Sequence, residues 1–485
     1  MTQVLIHSLI HAVPLARTAE KENNMSIHGA NRWSRREMLQ RVSSGFGMMA
    51  FAGLVGERAS ADYTNPLAPK EPHFAPKAKR VIYACMRGGP SHVDTFDYKP
   101  ALAEHDGKDA PEQKGRSLMA SPWKFEQQGQ SGLPISELFP HVGKHADQMC
   151  LINSLWTDVP NHPQAFLMMH TGEFRFARPS MGAWSLYGLG TQNQNLPGFV
   201  TINPPNNLGG SQNYSSGFLP AIYQGTAIGR EGQKVADTRI GNITSKHLPG
   251  SLQREQLDLV QSLNRDLLGR QQVNAEIEGV IESYELAFRM QDALPQALDL
   301  TKESKETLDA YGIGGGPTDN FGRQCLMARR LAESGVRFIE VTHANWDQHS
   351  GLKNNLTNNC KAIDQPLGAL LADLESRDML KDTLVMWGGE FGRTPHVRNK
   401  DGRDHNGTAY SMWMAGGGVK GGLRYGASDE FGIKAVENKV HPHDMHATIL
   451  HLLGLDHEKL TYRYGGRDYK LTGVGGARVL DDIIA

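Results

Sequence analysis

Cysteine is scarce. The chain of 485 residues has four, Cys85, Cys150, Cys325 and Cys360, and no two stand close enough in sequence to form a metal-finger pair. That excludes a thiolate zinc module as the basis of the fold. Apolar neighbours around Cys85 and Cys150 predict buried free thiols, with one or two disulfides as the alternative. An excess of charge is missing too. The formal net charge is −1 at pH 7, which leaves no electrostatic case for nucleic acid or an anionic membrane as partner. Long apolar runs are also absent. The run Gly45 to Val55 is too short and too rich in glycine to span a bilayer stably. No internal repeat is visible.

What remains is enough for one large α/β domain or two smaller ones. Residues 1–61 read as a leader. Ser34-Arg35-Arg36-Glu37-Met38-Leu39 resembles a twin-arginine export signal, followed by the mild apolar run and by Ala59-Ser60-Ala61, a small-residue cleavage site. The expected destination is the periplasm or the exterior. Residues 62–78 are rich in proline and polar groups and read as a linker, so the folded domain is expected over 79–485.

The stretch Thr383 to Gly417 organises the reading. Two apolar runs, Thr383–Trp387 and Tyr410–Ala415, have the composition of buried strands. Between them lies a polar, glycine-rich segment, expected as a surface loop, with Glu390, Arg393, Arg403, Asp404 and His405. So many acid, imidazole and guanidinium groups at the end of a buried strand suggest a site. The plainer reading pairs Glu390 with Arg393 and uses Asp404 as a turn.

Similar strand exits occur elsewhere. Val81–Met86 runs into Gly88-Gly89, with His92 and Asp94 beyond, and Asp97 expected in a turn. Met149–Leu155 leads to Asn161-His162-Pro163, where a helix is expected to begin. Val336–Thr342 is followed by His343, Trp346, Asp347 and His349. Helices are expected over Phe321–Glu333, over Asn358–Leu374 with Thr357 as N-cap, and over Met445–Leu453 with Asp444 as N-cap. The histidines around that last helix read as structural. Residues 180–250 read as long surface loops walling a cleft, and 251–297 as an inserted pair of amphipathic helices.

This alternation implies a mostly parallel sheet covered by helices on both faces, which binds ligands beyond the carboxyl ends of its strands. Asp94, His162, Asp347, His349, Glu390 and His405 all fall there. Carboxylates and imidazoles without thiolates suit one or two divalent cations.

The segments GGPSHVDTFDYKP, WDQH, GGEFGRTP, GRDH and DMHATILHLLGLDHEKLTYRYGGRDYKLT together resemble the secreted domain-of-unknown-function 1501 family, over nearly the whole mature chain. That family is similar to a branch of the alkaline phosphatase-like superfamily, which includes sulfatases. The resemblance implies metal ligands at Asp94, Asp347, His349, Glu390 and His405, holding one or two ions of zinc, manganese or calcium. Arg393 and Arg403 are expected as anion clamps, since guanidinium pairs bidentately with tetrahedral oxyanions. One expected part is missing: where the superfamily places Ser, Thr or a modified Cys, this chain has Asn161-His162-Pro163. His162 is then a nucleophile or a ligand, or a hydroxide attacks. The activity implied is metal-dependent hydrolysis of phosphate or sulfate esters, small or glycan-borne. The alternative is an exported binding or scaffold protein that keeps the fold without catalysis. The oligomeric state is open.

Overall fold

The run VIYACM becomes the strand Arg80–Met86 (β1), and its side chains show how the domain is layered. Ile82, Ala84 and Met86 enter one hydrophobic cluster; Val81, Tyr83 and Cys85 enter another. A strand sends successive side chains to opposite faces, so an unbroken apolar run signals burial on both. The computed structural model describes residues 65–111, 113–238, 250–271 and 275–485. The expected export signal and the first residues of the expected linker lie outside the described residues.

Ten strands and seven helices frame the site. The strands after β1 are Met149–Leu155 (β2), Phe199–Ile202 (β3), Thr226–Ile228 (β4), Phe338–His343 (β5), Thr383–Gly388 (β6), Gly392–Arg398 (β7), Gly402–Asn406 (β8), Tyr410–Ala415 (β9) and Leu423–Tyr425 (β10). The helices are His162–Thr171 (α1), Met181–Leu189 (α2), Gly250–Gln271 (α3), Ala275–Leu298 (α4), Asp319–Glu333 (α5), Leu352–Ser376 (α6) and Pro442–Leu452 (α7). Eight strands form the main sheet in the order β10-β2-β9-β6-β1-β5-β3-β4. Strand β9 runs antiparallel to both its neighbours, and the other pairings are parallel. Helices α5 and α6 cover one face through Leu326, Leu331, Ile363 and Leu367. Helices α1, α2 and α7 cover the other through Phe166, Trp184, Met445 and Ile449. All four cysteines are free and buried.

Several expectations need correction. Residues 180–250 are not simply loops: they supply α2 and the parallel strands β3 and β4. The two strands have 4 and 3 residues, too few for a period to show, and α2 is buried over most of its surface, so it lacks a polar stripe. The segment between β6 and β9 is not a surface loop. It folds into the β7–β8 hairpin, with Glu390, Arg393 and Arg403 buried. Helix α6 starts five residues before Thr357, whose hydroxyl bonds back to the Lys353 carbonyl. In α7 the N-cap is His441, and Asp444 closes a capping box from the third position. Asp97 is no surface turn residue: it is fully buried against Lys99, Asn153 and Ser428. Residues 65–78 are not a free linker either. Leu67 is buried, and backbone bonds tie His73 to Gly454 and Lys77 to Leu452.

His446 on α7 donates Nε2–H to the Met169 carbonyl at 2.7 Å and leaves Nδ1 buried without a partner. Burial, reinforced by the neighbouring His443, pushes its pKa down to about 3. The unfolded chain takes up this proton near pH 6.5 and the folded chain does not. The stability present above pH 6.5 is therefore lost as the pH falls from 6.5 towards 3, at about 1.4 kcal/mol per pH unit. His446→Gln keeps a donor for Met169 and cannot protonate. Its urea-unfolding free energy should fall less steeply between pH 6 and 4, and an unchanged slope would refute this.

Candidate metal centre

Four strand ends bring the site together. The loop after β5 turns at Asn345, whose φ is 72°, a conformation asparagine tolerates better than most residues. The turn sends Trp346 into the core and leaves Asp347 with its side chain 42% accessible. Helix α1 presents His162 at its first turn. The hairpin sets Arg393 opposite His405 in register.

These side chains meet at one atom, Asp347 Oδ1. Nε2 of His349 lies 3.0 Å from it, Nε2 of His162 3.2 Å, Nε2 of His405 3.3 Å, and Nη2 of Arg393 2.7 Å. Burial alone would raise the Asp347 pKa. When Nε2 of His162 and of His405 also carries a proton, hydrogen bonds from these rings and the Arg393 charge outweigh burial and hold it far below the usual carboxylate range.

The outer nitrogens of two rings fix which atoms face the centre. His405 Nδ1 is 2.9 Å from the Pro160 carbonyl, which only accepts, so Nδ1 carries the proton. His162 Nδ1 lies 2.6 Å from Glu390 Oε1. That carboxylate also accepts the N–H groups of Gly88 and Gly89, so it is the acceptor and Nδ1 the donor. In their neutral forms both histidines then aim an Nε2 lone pair at Asp347. Acceptors converging on an acceptor need a cation between them. His162 Nε2, buried, makes no well-directed hydrogen bond despite its nearness to Asp347. Nε2 of His349 and Nε2 of His405 are 2.9 Å apart, and His349 Nδ1 is buried without a partner, 3.7 Å from Asp404. The set His162, Asp347 and His405 has donor atoms within 4.8 Å of one another. Three imidazoles and a carboxylate fit a divalent cation of the zinc type, with Glu390 behind His162 in the manner of a carboxylate–histidine–metal relay.

The surroundings make this rigid. Gly88 and Gly89 have φ of +118° and +69°; a Cβ on Gly88 would lie 2.6 Å from the Asp347 amide nitrogen, and one on Gly89 2.8 Å from the Phe391 ring. Arg393 donates Nε to the Gly89 carbonyl at 2.9 Å and Nη2 to that of Gly88, tying the exit of β1 to Asp347. Phe391 packs on the rings of His162 and His405 at 4.6 and 4.8 Å.

Residues 78–484 match the family model described as "Protein of unknown function (DUF1501)". The chain belongs to this family. A search of curated proteins gives no match. Among solved structures, the DUF1501 chain is similar to a protein in the alkaline phosphatase superfamily from Vibrio parahaemolyticus, at 10% identity and TM-score 0.38, over 94% of this chain and 80% of that one. It is also similar to the PsFucS1 sulfatase from Pseudoalteromonas sp., at 11% identity and TM-score 0.34, over 86% and 72%. A third is the lipoteichoic acid synthase LtaP from Listeria monocytogenes, at 8% identity and TM-score 0.34, over 88% and 80%. Likeness at this level carries no argument about chemistry, so the reading of this DUF1501 site rests on its own residues.

The structure thus brings His162, Asp347, His349, Arg393 and His405 together, with Glu390 directly behind. Two expected members are placed elsewhere. Asp94 and Arg403 are fully buried and paired with each other, Nε to Oδ2 at 2.6 Å and Nη2 to Oδ1 at 3.0 Å. Asp94 also accepts from Ser91 at 2.5 Å, and Arg403 donates from Nη1 to the Thr394 carbonyl and from Nη2 to that of Met119. Both are sealed from the surface and held by each other, away from the atoms that meet at Asp347. Sequence reasoning missed Phe391 and the backbone atoms of Gly88, Gly89 and Pro160; only the glycine pair after the first strand signalled any of them. A second group, Cys85, His170 and Glu340, is wholly buried. Its His170 donates to the Phe166 carbonyl at 2.7 Å and lies 3.1 Å from Glu340, so this pair satisfies itself.

Proposed function

We propose that this DUF1501 chain is an exported, metal-dependent hydrolase of phosphate or sulfate esters. The observation that carries the reading is the convergence of three imidazole Nε2 atoms on the half-exposed Asp347, with His162 Nε2 buried and unsatisfied. His162, His349, His405 and Asp347 would hold one divalent ion. When bound, it supplies Lewis-acid polarisation of an ester oxygen and acidifies water. The chain's own residues do the rest. Glu390 accepts the Nδ1 proton of His162 and fixes that ring; Arg393 orients Asp347. Arg393 also keeps one nitrogen, Nη1, buried without a partner, the atom it would offer to an oxyanion. With His349 Nε2 facing the ion, its Nδ1–H would be directed at the Asp404 carboxylate, 3.7 Å away.

One observation favours the second reading, a non-catalytic exported binder. No hydroxyl or thiol hydrogen-bonds to His162, Asp347, His349 or His405 among the described residues. The test is a panel of aryl phosphates, phosphodiesters and aryl sulfates, assayed with zinc, manganese or calcium. Turnover that disappears with a chelator and returns with one metal is the expected result. Metal-loaded protein that cleaves no ester, glycan sulfates included, establishes the binder. Among the described residues no helix is long and apolar enough to cross a membrane.

A further inference from the structure

A cavity of about 420 Å³ opens at the far end of α1 from His162. It lies on the same end of the sheet as the metal centre. Asp158, which lines it, sits in the loop leaving β2. His443, which also lines it, sits in the first turn of α7, whose start is tied to the end of β2 by the Trp156 N–H on the Val440 carbonyl. Helix α1 has 10 residues, so Thr171 at the cavity wall stands about 14 Å from His162 at 1.5 Å per residue.

Its walls combine guanidinium groups with aromatic rings. Arg178 lies 4.7 Å from the ring centre of Tyr469, 5.4 Å from that of Phe176 and 5.8 Å from that of Phe218. Arg467 lies 5.0 Å from that of Tyr469. Among the described residues neither guanidinium has a carboxylate partner. The two acids at the cavity are engaged elsewhere: Asp158 with His441 at 2.9 Å, and Glu173 with the N–H groups of Phe174 and Arg175. The rings hold the two cations in place and leave their N–H forks uncommitted. Rings at hand for stacking, with Phe176 62% exposed, add apolar faces beside those forks. Flat apolar faces beside bidentate cations match a sugar ring that carries a sulfate, phosphate or carboxylate.

We infer that this cavity is a subsite for one anionic sugar unit of an oligosaccharide whose ester-bearing unit occupies the metal centre. Only the placing of the ester-bearing unit at the metal centre rests on the hydrolase reading; the subsite binds whether or not the centre turns over. The cavity's separation from the centre by one helix length selects an extended chain over a single small ester.

The test is calorimetry on the full chain with chelator present, so that hydrolysis plays no part. The probes are tetrasaccharides bearing sulfate, phosphate or uronic carboxylate, the desulfated counterpart, and inorganic sulfate. One charged tetrasaccharide should bind, its uncharged counterpart and inorganic sulfate at least about tenfold more weakly, since one charge-assisted hydrogen bond is worth that factor or more. Arg178→Ala and the exposed Arg467→Ala should each weaken the charged probe about tenfold to a hundredfold with unchanged circular dichroism, and Arg178→Lys should recover only part. Equal binding of charged and uncharged chains, unchanged binding in both alanine variants, or no binding of any charged chain would each overturn the subsite. Failure of the ester panel with this result intact would remove the hydrolase reading and leave the subsite standing.

Discussion

Replacing His162 by alanine should strip the bound ion from the chain before it affects anything else. The ring stands between two carboxylates, Nδ1 at 2.6 Å from Glu390 and Nε2 at 3.2 Å from Asp347. Only one of these contacts needs the ring to carry a proton on that side; the other presents a lone pair to the centre. Removing the ring leaves the buried Glu390 with only the Gly88 and Gly89 N–H groups as donors and the ion without a ligand. Metal analysis should show less than one ion per chain under conditions that saturate the wild type. The stabilisation by excess zinc, about 4 kcal/mol at a thousand times the dissociation constant, should vanish with it. Glu390→Gln should do less, lowering metal affinity about 10- to 100-fold, the usual effect of loosening an outer partner of a ligating histidine. A His162→Ala protein with full metal content and an intact zinc-induced rise in melting temperature would remove His162 from the ligand set. If that protein were also inactive, and the wild type trapped phosphate on His162, the residue would be the nucleophile.

The second large effect is structural. Asp94→Ala should destabilise the domain by about 3–5 kcal/mol, because it leaves the Arg403 guanidinium charged, buried and without its counter-ion. Both side chains are wholly inaccessible. Two carbonyls, those of Thr394 and Met119, still accept from Arg403 in that variant, but neither carries charge. Urea unfolding measures the loss. The double variant Asp94→Leu, Arg403→Met removes both charges and should recover most of it, since replacing a buried pair by apolar groups of similar size is often neutral. If Asp94→Ala unfolds at the wild-type urea midpoint, the pair contributes nothing. If it loses metal at unchanged stability, Asp94 belongs to the centre after all.

The same pair shows where reading the sequence falls short. Asp94 follows the first strand, and Arg403 lies in GRDH, so both positions looked like site residues. They share a motif character with Asp347 and His405 that composition cannot divide. What divides them is depth. The helical turn His92–Thr95 buries Asp94 completely, and Arg403 and His405, two residues apart and so on one face of β8, differ in burial: Arg403 is wholly inaccessible while His405 keeps 23% of its side chain accessible. Glu390 shows the same limit: it sits at the strand end where it was expected, yet it faces the outer nitrogen of His162. Its place behind a ligand follows from the packing of α1 over the exit of β6, and nothing within GGEFGRTP encodes that.

The sequence by itself determined the apolar strand segments Val81–Met86, Met149–Leu155, Thr383–Trp387 and Tyr410–Ala415, the paired helices α3 and α4, and the clustering of acid, imidazole and guanidinium groups at strand ends. These are local matters, set by apolar runs, helical period and composition, and they survive without knowledge of partners. Only the tertiary structure decided the antiparallel course of β9, the membership of β3 and β4 in the sheet, and the sorting of charged groups into a half-exposed centre around Asp347 and a sealed pair at Asp94 and Arg403. Each of these depends on which groups from distant segments lose water together. A carboxylate with both oxygens on one buried guanidinium becomes part of the core, and one that shares a single oxygen between a guanidinium and three imidazoles at the rim stays accessible to an ion.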